Sequence, residues 1–253
     1  MNGLRLVDTH AHLGDEAFDG DRTEVLRRAR DAGVKAVITV GETLDDARTN
    51  LALAELHPEI LPTAGLYPTH LDGAAAGRLI EWTLEHHERL IAIGEVGLDH
   101  WKVEGDEARA LQHEIFSRFI DLSKQTDLPL NVHSRSAGRA AIELLLERGA
   151  TRVQLHAFDG RAAKALAGVE AGFFFSIPPC VVRSPQKQKL VRRLPLENLL
   201  VETDSPVLGP VAGQRNEPAN VAISVAAIAE LKELAEEHVV EAVVENQYRL
   251  YRV

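Results

Sequence analysis

Short apolar runs alternate with longer amphipathic stretches along the whole chain. Leu4–Thr9 is apolar, and Val34–Val40 is nearly continuous Val and Ile, as expected of a strand buried on both faces. Ile60–Leu66, Leu90–Gly94, Leu128–His133, Arg152–His156, Gly172–Ile177 and Asn198–Thr203 complete a set of eight predicted strands. Helical periodicity fills the intervals: Asp21–Ala32, Thr43–Leu56, Gly77–Arg89, Glu107–Thr126, Ala137–Arg148, Ala162–Ala171 and Pro185–Arg193. Gly33 and Gly149 are placed to stop the first and fifth of these. Everything after Thr203 reads as helical.

Eight strand–helix alternations in 253 residues predict an α/β fold, a (β/α)8 TIM-type barrel. A doubly wound open sheet would be expected to carry a glycine-rich phosphate loop after its first strand. Here that strand runs into Asp8-Thr9-His10-Ala11-His12. With no low-complexity tract or linker, residues 1–253 are expected to form one barrel domain.

The strand ends carry the candidate chemistry. His10, His12, Glu95, His133, His156 and Asp204 each close, or sit just past, an apolar run. A barrel gathers the C-terminal ends of its strands around one mouth, where active sites of this fold lie. Residues i and i+2 of a strand share a face, so His10 and His12, and likewise Glu202 and Asp204, are expected to point together. Four imidazoles and two carboxylates exceed the needs of one tetrahedral ion. They suit two divalent ions, Zn, Mn or Mg, with Glu95 as the bridge. Imidazole ligands favour zinc or manganese over magnesium. Asp204 is placed to ligate one ion and to accept a proton from water.

Net charge is −10, which argues against wrapping duplex DNA with a broad basic surface but leaves room for an enzyme that holds one strand locally. Val181–Leu196 departs from the average, with Arg183, Lys187, Lys189, Arg192 and Arg193 and no acid. Lys187 and Lys189 are expected to face solvent. Cys180 is the only cysteine, which excludes an internal disulfide and a cysteine zinc cluster. No apolar run approaches the length of a membrane span, and with the first strand expected from Leu4 no signal peptide is expected. A cytoplasmic protein is expected.

Leu6–Leu13, Gly94-Glu95-Val96-Gly97-Leu98-Asp99, Val132-His133-Ser134-Arg135, His156–Gly160 and Glu202-Thr203-Asp204-Ser205-Pro206 resemble the signature blocks of the TatD family of metal-dependent DNases, within the amidohydrolase-like barrels. The blocks occur in family order and span nearly the whole chain. The resemblance implies a 3′–5′ exodeoxyribonuclease acting on single-stranded DNA or 3′ ends. It also implies that His10, His12, Glu95 and Asp204 hold one ion, and Glu95, His133 and His156 the other.

Some positions depart from the family pattern. Gly65-Leu66-Tyr67-Pro68-Thr69-His70 replaces the usual Gly-x-His-Pro-His, and Ala157 and Asp159 stand where Cys and Ser are usual. Ser176-Ile177-Pro178-Pro179 lacks the usual glycine after the seventh strand. Tyr67, His70, Arg135 and Glu202 are the candidate substrate contacts. Arg135 suits a phosphate oxygen pair or a salt bridge to an acidic rim. Trp101 suits base stacking or rim packing. Two other functions stay open: ester or amide hydrolysis by the same metal pair, with RNA or an aminoacyl-tRNA ester as substrate, and a barrel that binds metal or a partner without catalysis.

Overall fold

A computed structural model describes residues 6–253. Eight parallel strands pair in sequence order: β1 (Leu6–Ala11), β2 (Val34–Thr39), β3 (Ile60–Ala64), β4 (Ala92–Gly97), β5 (Leu130–His133), β6 (Val153–Leu155), β7 (Phe174–Ile177) and β8 (Leu199–Val201). The first two residues of the expected first strand, Leu4 and Arg5, lie outside the described residues. The nearly closed barrel joins its ends beyond β8, where Ala11 bridges Ser205 in parallel.

The helices are α1 (Arg22–Asp31), α2 (Leu44–Leu56), α3 (Gly73–His86), α4 (Asp106–Thr126), α5 (Gly138–Glu147), α6 (Ala162–Glu170), α7 (Pro185–Arg193), α8 (Val221–Lys232) and α9 (Glu236–Tyr251). Their apolar faces pack on the outer strand faces in one extended core that includes Val37, Ile93, Val132, Leu155 and Phe175. Local signals explain most boundaries. Thr43 accepts from the Asp46 N–H to cap α2, and Ser184 caps α7 before Pro185. α3 starts four residues earlier than expected, because Asp72 accepts from the Ala74 and Ala75 N–H groups. The expectation of continuous helix after Thr203 is corrected. Residues 205–217 form a loop, and helix resumes as two elements, α8 and α9.

The base of the barrel is plugged by α9. Leu250 and Tyr251 pack with Val7, Ile38, Ala92, Phe174 and Leu200. Gln247 hydrogen-bonds both backbone groups of Val7. Among the described residues, no helix is long and apolar enough to cross a membrane.

Candidate metal centre

Alternation along β1 sends Asp8, His10 and His12 to one face. The barrel seam then fixes them against the residues after β8. The Asp204 N–H donates to His10 O and the His12 N–H to Ser205 O, each at 2.8 Å. Asp8 receives the Thr203 N–H at 2.8 Å and hydroxyl at 2.5 Å. Burial pushes Asp8 up to about 7 against these hydrogen bonds. It therefore acts as a clamp across the seam. Asp204 itself has φ 53°, a left-handed conformation that Asp tolerates better than most residues.

Glu95 lies inside β4, between glycines that admit close neighbours. A Cβ on Gly97, at φ 143°, would sit 2.1 Å from His133 O, and one on Gly94 would sit 2.6 Å from the Asn131 Cβ. These approaches bring β4 and β5 together so that Glu95 meets His133.

The six predicted ligands converge, and the Glu95 carboxylate divides them. Its Oε2 lies 3.9 Å from His10 Nε2 and 3.7 Å from His12 Nε2, while Asp204 Oδ1 lies 3.4 Å from both. Its Oε1 lies 2.7 Å from His133 Nδ1 and 2.9 Å from His156 Nε2. The first group has the spacing of ligand atoms around a common centre: donors about 2.1 Å from a tetrahedral ion stand roughly 3.4 Å apart.

Hydrogen bonds prepare the nitrogens. His10 Nδ1 is 2.8 Å from Asn131 Oδ1, so it carries the proton and leaves the Nε2 lone pair free. That Nε2 is buried and has no hydrogen-bond partner among the described residues. His133 Nε2 is 3.1 Å from Asp99 Oδ2, which turns Nδ1 toward Glu95 and His156. Histidine ligands are held by such partners in metal sites. The electrostatics agree. Burial opposes charge on Glu95 and Asp204, yet the neighbouring imidazoles hold both well below the carboxylate range. Against burial, Asp204 and Glu95 draw His10 up to about 10, and Glu95 and Asp99 draw His133 up to about 9. Burial and His10 push His156 down to about 4, so it stays neutral. This donor set demands positive charge, and it fits divalent ions.

Several supporting residues escaped the sequence reading. Asn131 lies two positions before His133 on β5, so the i, i+2 rule could have found it. Asp99 also accepts from the Trp101 and Lys102 N–H groups; it closes the GEVGLD block two residues past the end of β4. Glu42, half-buried after β2, is raised by burial and by Glu95. Lys187 is buried, not solvent-facing as expected: its Nζ donates to Ala157 O at 2.5 Å and Phe158 O at 2.9 Å. It holds the turn after His156, where Ala157 has φ 36°.

The expected substrate contacts separate. Glu202 is fully buried beneath the mouth. It receives the Ala157 N–H at 2.7 Å and the Ser176 hydroxyl at 2.5 Å, and lies 3.8 Å from His156 Nδ1. It backs His156 from beneath the mouth. β8 ends at Val201 and Asp204 is left-handed, so strand alternation does not carry from Glu202 to Asp204. Tyr67 stands edge-on to His133, ring centres 5.0 Å apart. Burial and the charge of Glu95 push its phenol up, so it remains a donor. His70 is exposed on the rim. Arg135 has no carboxylate partner among the described residues; its guanidinium stacks on exposed Trp101 at 3.7 Å.

A parallel eight-stranded barrel with a histidine–carboxylate centre at its strand ends is the architecture of metal-dependent barrel hydrolases. Residues 7–252 match the TatD related DNase family, and the chain belongs to that family. It is 44% identical to human deoxyribonuclease TATDN3, covering 98% of this chain and 95% of that one. It is 35% identical to the uncharacterised metal-dependent hydrolase YabD of Bacillus subtilis, covering 98% and 99%. The crystal structure of the Escherichia coli TatD homologue YjjV superposes with a TM-score of 0.90 at 28% identity, over 99% of each chain.

Proposed function

We propose that this chain is a one-domain, two-metal phosphodiesterase that removes nucleotides from the 3′ ends of single-stranded DNA. The reading rests chiefly on the Glu95 carboxylate, whose Oε2 faces His10 and His12 while its Oε1 faces His133 and His156. His10, His12, Asp204 and Glu95 would hold one ion, and Glu95, His133 and His156 the other. The imidazole-rich set favours zinc or manganese. Bound there, the ions supply a water nucleophile at neutral pH and neutralise the phosphate.

The chain's own groups complete the reaction. Asp204, held as an anion, accepts the proton that water gives up as its oxygen bonds to phosphorus; the P–O3′ bond breaks, and the departing oxygen takes that proton back to become the new 3′ hydroxyl. Tyr67 offers a phenolic hydrogen bond to a phosphate oxygen, in the place where the family usually carries histidine. Asn131, Asp99 and Glu202 keep the imidazoles aimed. The human relative is named a deoxyribonuclease, which supports DNA as the polymer. The single cysteine, Cys180, is free and buried and fits a reducing compartment; the cytoplasm is the location we propose.

The test is a 5′-labelled single strand incubated with protein loaded with Mn²⁺, Zn²⁺ or Mg²⁺. The expected result is a ladder that shortens from the 3′ end. Asp204→Asn should slow it by roughly 10²–10⁴-fold. No cleavage with any ion, together with turnover of an aminoacyl-tRNA ester, would replace this reading with ester hydrolysis.

A further inference from the structure

Beside the mouth lies a cavity of about 720 Å³ that the proposed chemistry does not use. It is walled by the loops after β5 and β6 and by α7. Arg139, Arg161, Lys164 and Lys189 line it, with Asp159 as the one acid among its lining residues. His133 and His156 stand three residues before the lining residues Ser136 and Asp159 respectively, so the loops that wall the cavity begin at the metal-centre histidines.

The cations are available. Arg161, Lys164 and Lys189 are exposed, and none has a carboxylate partner among the described residues; Arg139 pairs with Glu143 at 3.1 Å. The acid is engaged: Asp159 Oδ2 accepts the Ser136 N–H at 2.8 Å and ties the two loops together. The floor is built from buried parts. Phe158 lies under Gly138 and Gly160, where an added Cβ would meet its ring at 2.6 Å and 2.7 Å. Gln186 Nε2 donates to Phe158 O and Gly160 O. This is a cation-walled concavity on a chain of net charge −10. Its size is that of a ligand site. No aromatic ring lines it to stack a base, so its chemistry addresses phosphate, not base identity.

We infer that this cavity carries the phosphodiester backbone of single-stranded DNA leading away from the scissile end. The inference rests on the nuclease reading for the chemistry at the mouth, and it assigns the contact that holds the rest of the strand. It accounts for how an acidic protein grips a polyanion, through three or four local cations independent of sequence. Part of the basic charge of Val181–Leu196 is thereby placed: Lys189 faces the strand while Lys187 is buried.

The experiment measures binding of a fluorescein-labelled single strand of about twelve nucleotides by anisotropy. Metal-loaded protein carries Asp204→Asn to prevent cleavage. The groove triple Arg161→Ala/Lys164→Ala/Lys189→Ala is compared with Arg30→Ala/Lys35→Ala/Arg89→Ala, which removes the same charge from the opposite end of the barrel. The groove triple should weaken binding about tenfold and lower the slope of log Kd against log salt by about 2, since each single-strand phosphate contact contributes roughly 0.7. Lys189→Ala alone should lower it by about 0.7. With Asp204 restored, the groove triple should hydrolyse bis(p-nitrophenyl) phosphate at the unaltered rate. Equal losses in both triples, an unchanged Kd, or no binding before substitution would overturn the inference. A protein that binds through the groove but never cuts would instead refute the nuclease reading.

Discussion

Asn131 serves three neighbours with one amide, His10, Thr9 and the Tyr251 hydroxyl. Its oxygen accepts a hydrogen bond from His10 Nδ1–H and its nitrogen donates to Thr9 O at 2.9 Å, so ring tautomer and strand position are set together. Replacing it with Ala should lower metal affinity by roughly 10–100-fold, read by competition with a coloured chelator; an unchanged affinity would show that His10 is oriented by packing alone. Lys187 acts on backbone instead. Its ammonium joins two carbonyls of the turn after His156, and Lys187→Met would leave both without that donor. A loss of about 2 kcal/mol is expected, measured as a shift in urea midpoint, with none expected for the exposed Lys189→Met. Neither residue belongs to a recognisable motif. Asn131 is nonetheless legible through its i, i+2 relation to His133. The role of Lys187 is not, because helix α7 presents four cations with no sequence mark for the one turned inward.

Most elements were legible because each repeats a simple contrast between an apolar strand and an amphipathic helix. The exceptions are informative. Asp72 extends α3 back to Gly73 through a cap that hydrophobic periodicity does not register. The loop over residues 205–217 interrupts a stretch read as helix, and it is held by charge pairs distant in sequence. Arg215 meets Asp21 at 2.7 and 2.8 Å, and Arg28 meets Glu217 at 2.6 Å. These pairs clip the segment after Asp204 to the segment after His12, across the barrel seam. The Arg215 hydrogen bond holds Asp21 down at about 2, below its ordinary 3.8. A carboxyl lowered on folding stabilises the folded state above its unfolded value, and that contribution disappears as pH falls through the folded value. Asp21→Asn should therefore lower the urea midpoint at neutral pH, and its deficit should shrink between about pH 4 and pH 2. A deficit constant with pH would mean that the carboxylate charge contributes nothing there.

At the scale of the whole molecule, the proposed ligands come from β1, β4, β5, β6 and the segment beyond β8, so metal binding should tie opposite sides of the barrel. Adding zinc or manganese at about a hundred times its Kd should stabilise the fold by about 2.7 kcal/mol, seen as a higher melting temperature that chelation reverses. An unchanged melting temperature would argue that no ion binds the folded state. The sequence by itself determined the barrel class, the strand ends and the six candidate ligands. Apolar runs, helix periods and residue types are local properties, and a closed parallel barrel converts strand-end position into spatial proximity. Only the tertiary structure decided which groups face one another. It divided Glu95 between two histidine groups, turned Glu202 inward behind His156, buried Lys187 and gathered Arg161, Lys164 and Lys189 around one cavity. Those outcomes depend on the twist of the strands, the left-handed turns at Ala157 and Asp204 and the packing of α7 and α9, which follow from contacts between residues far apart in the chain.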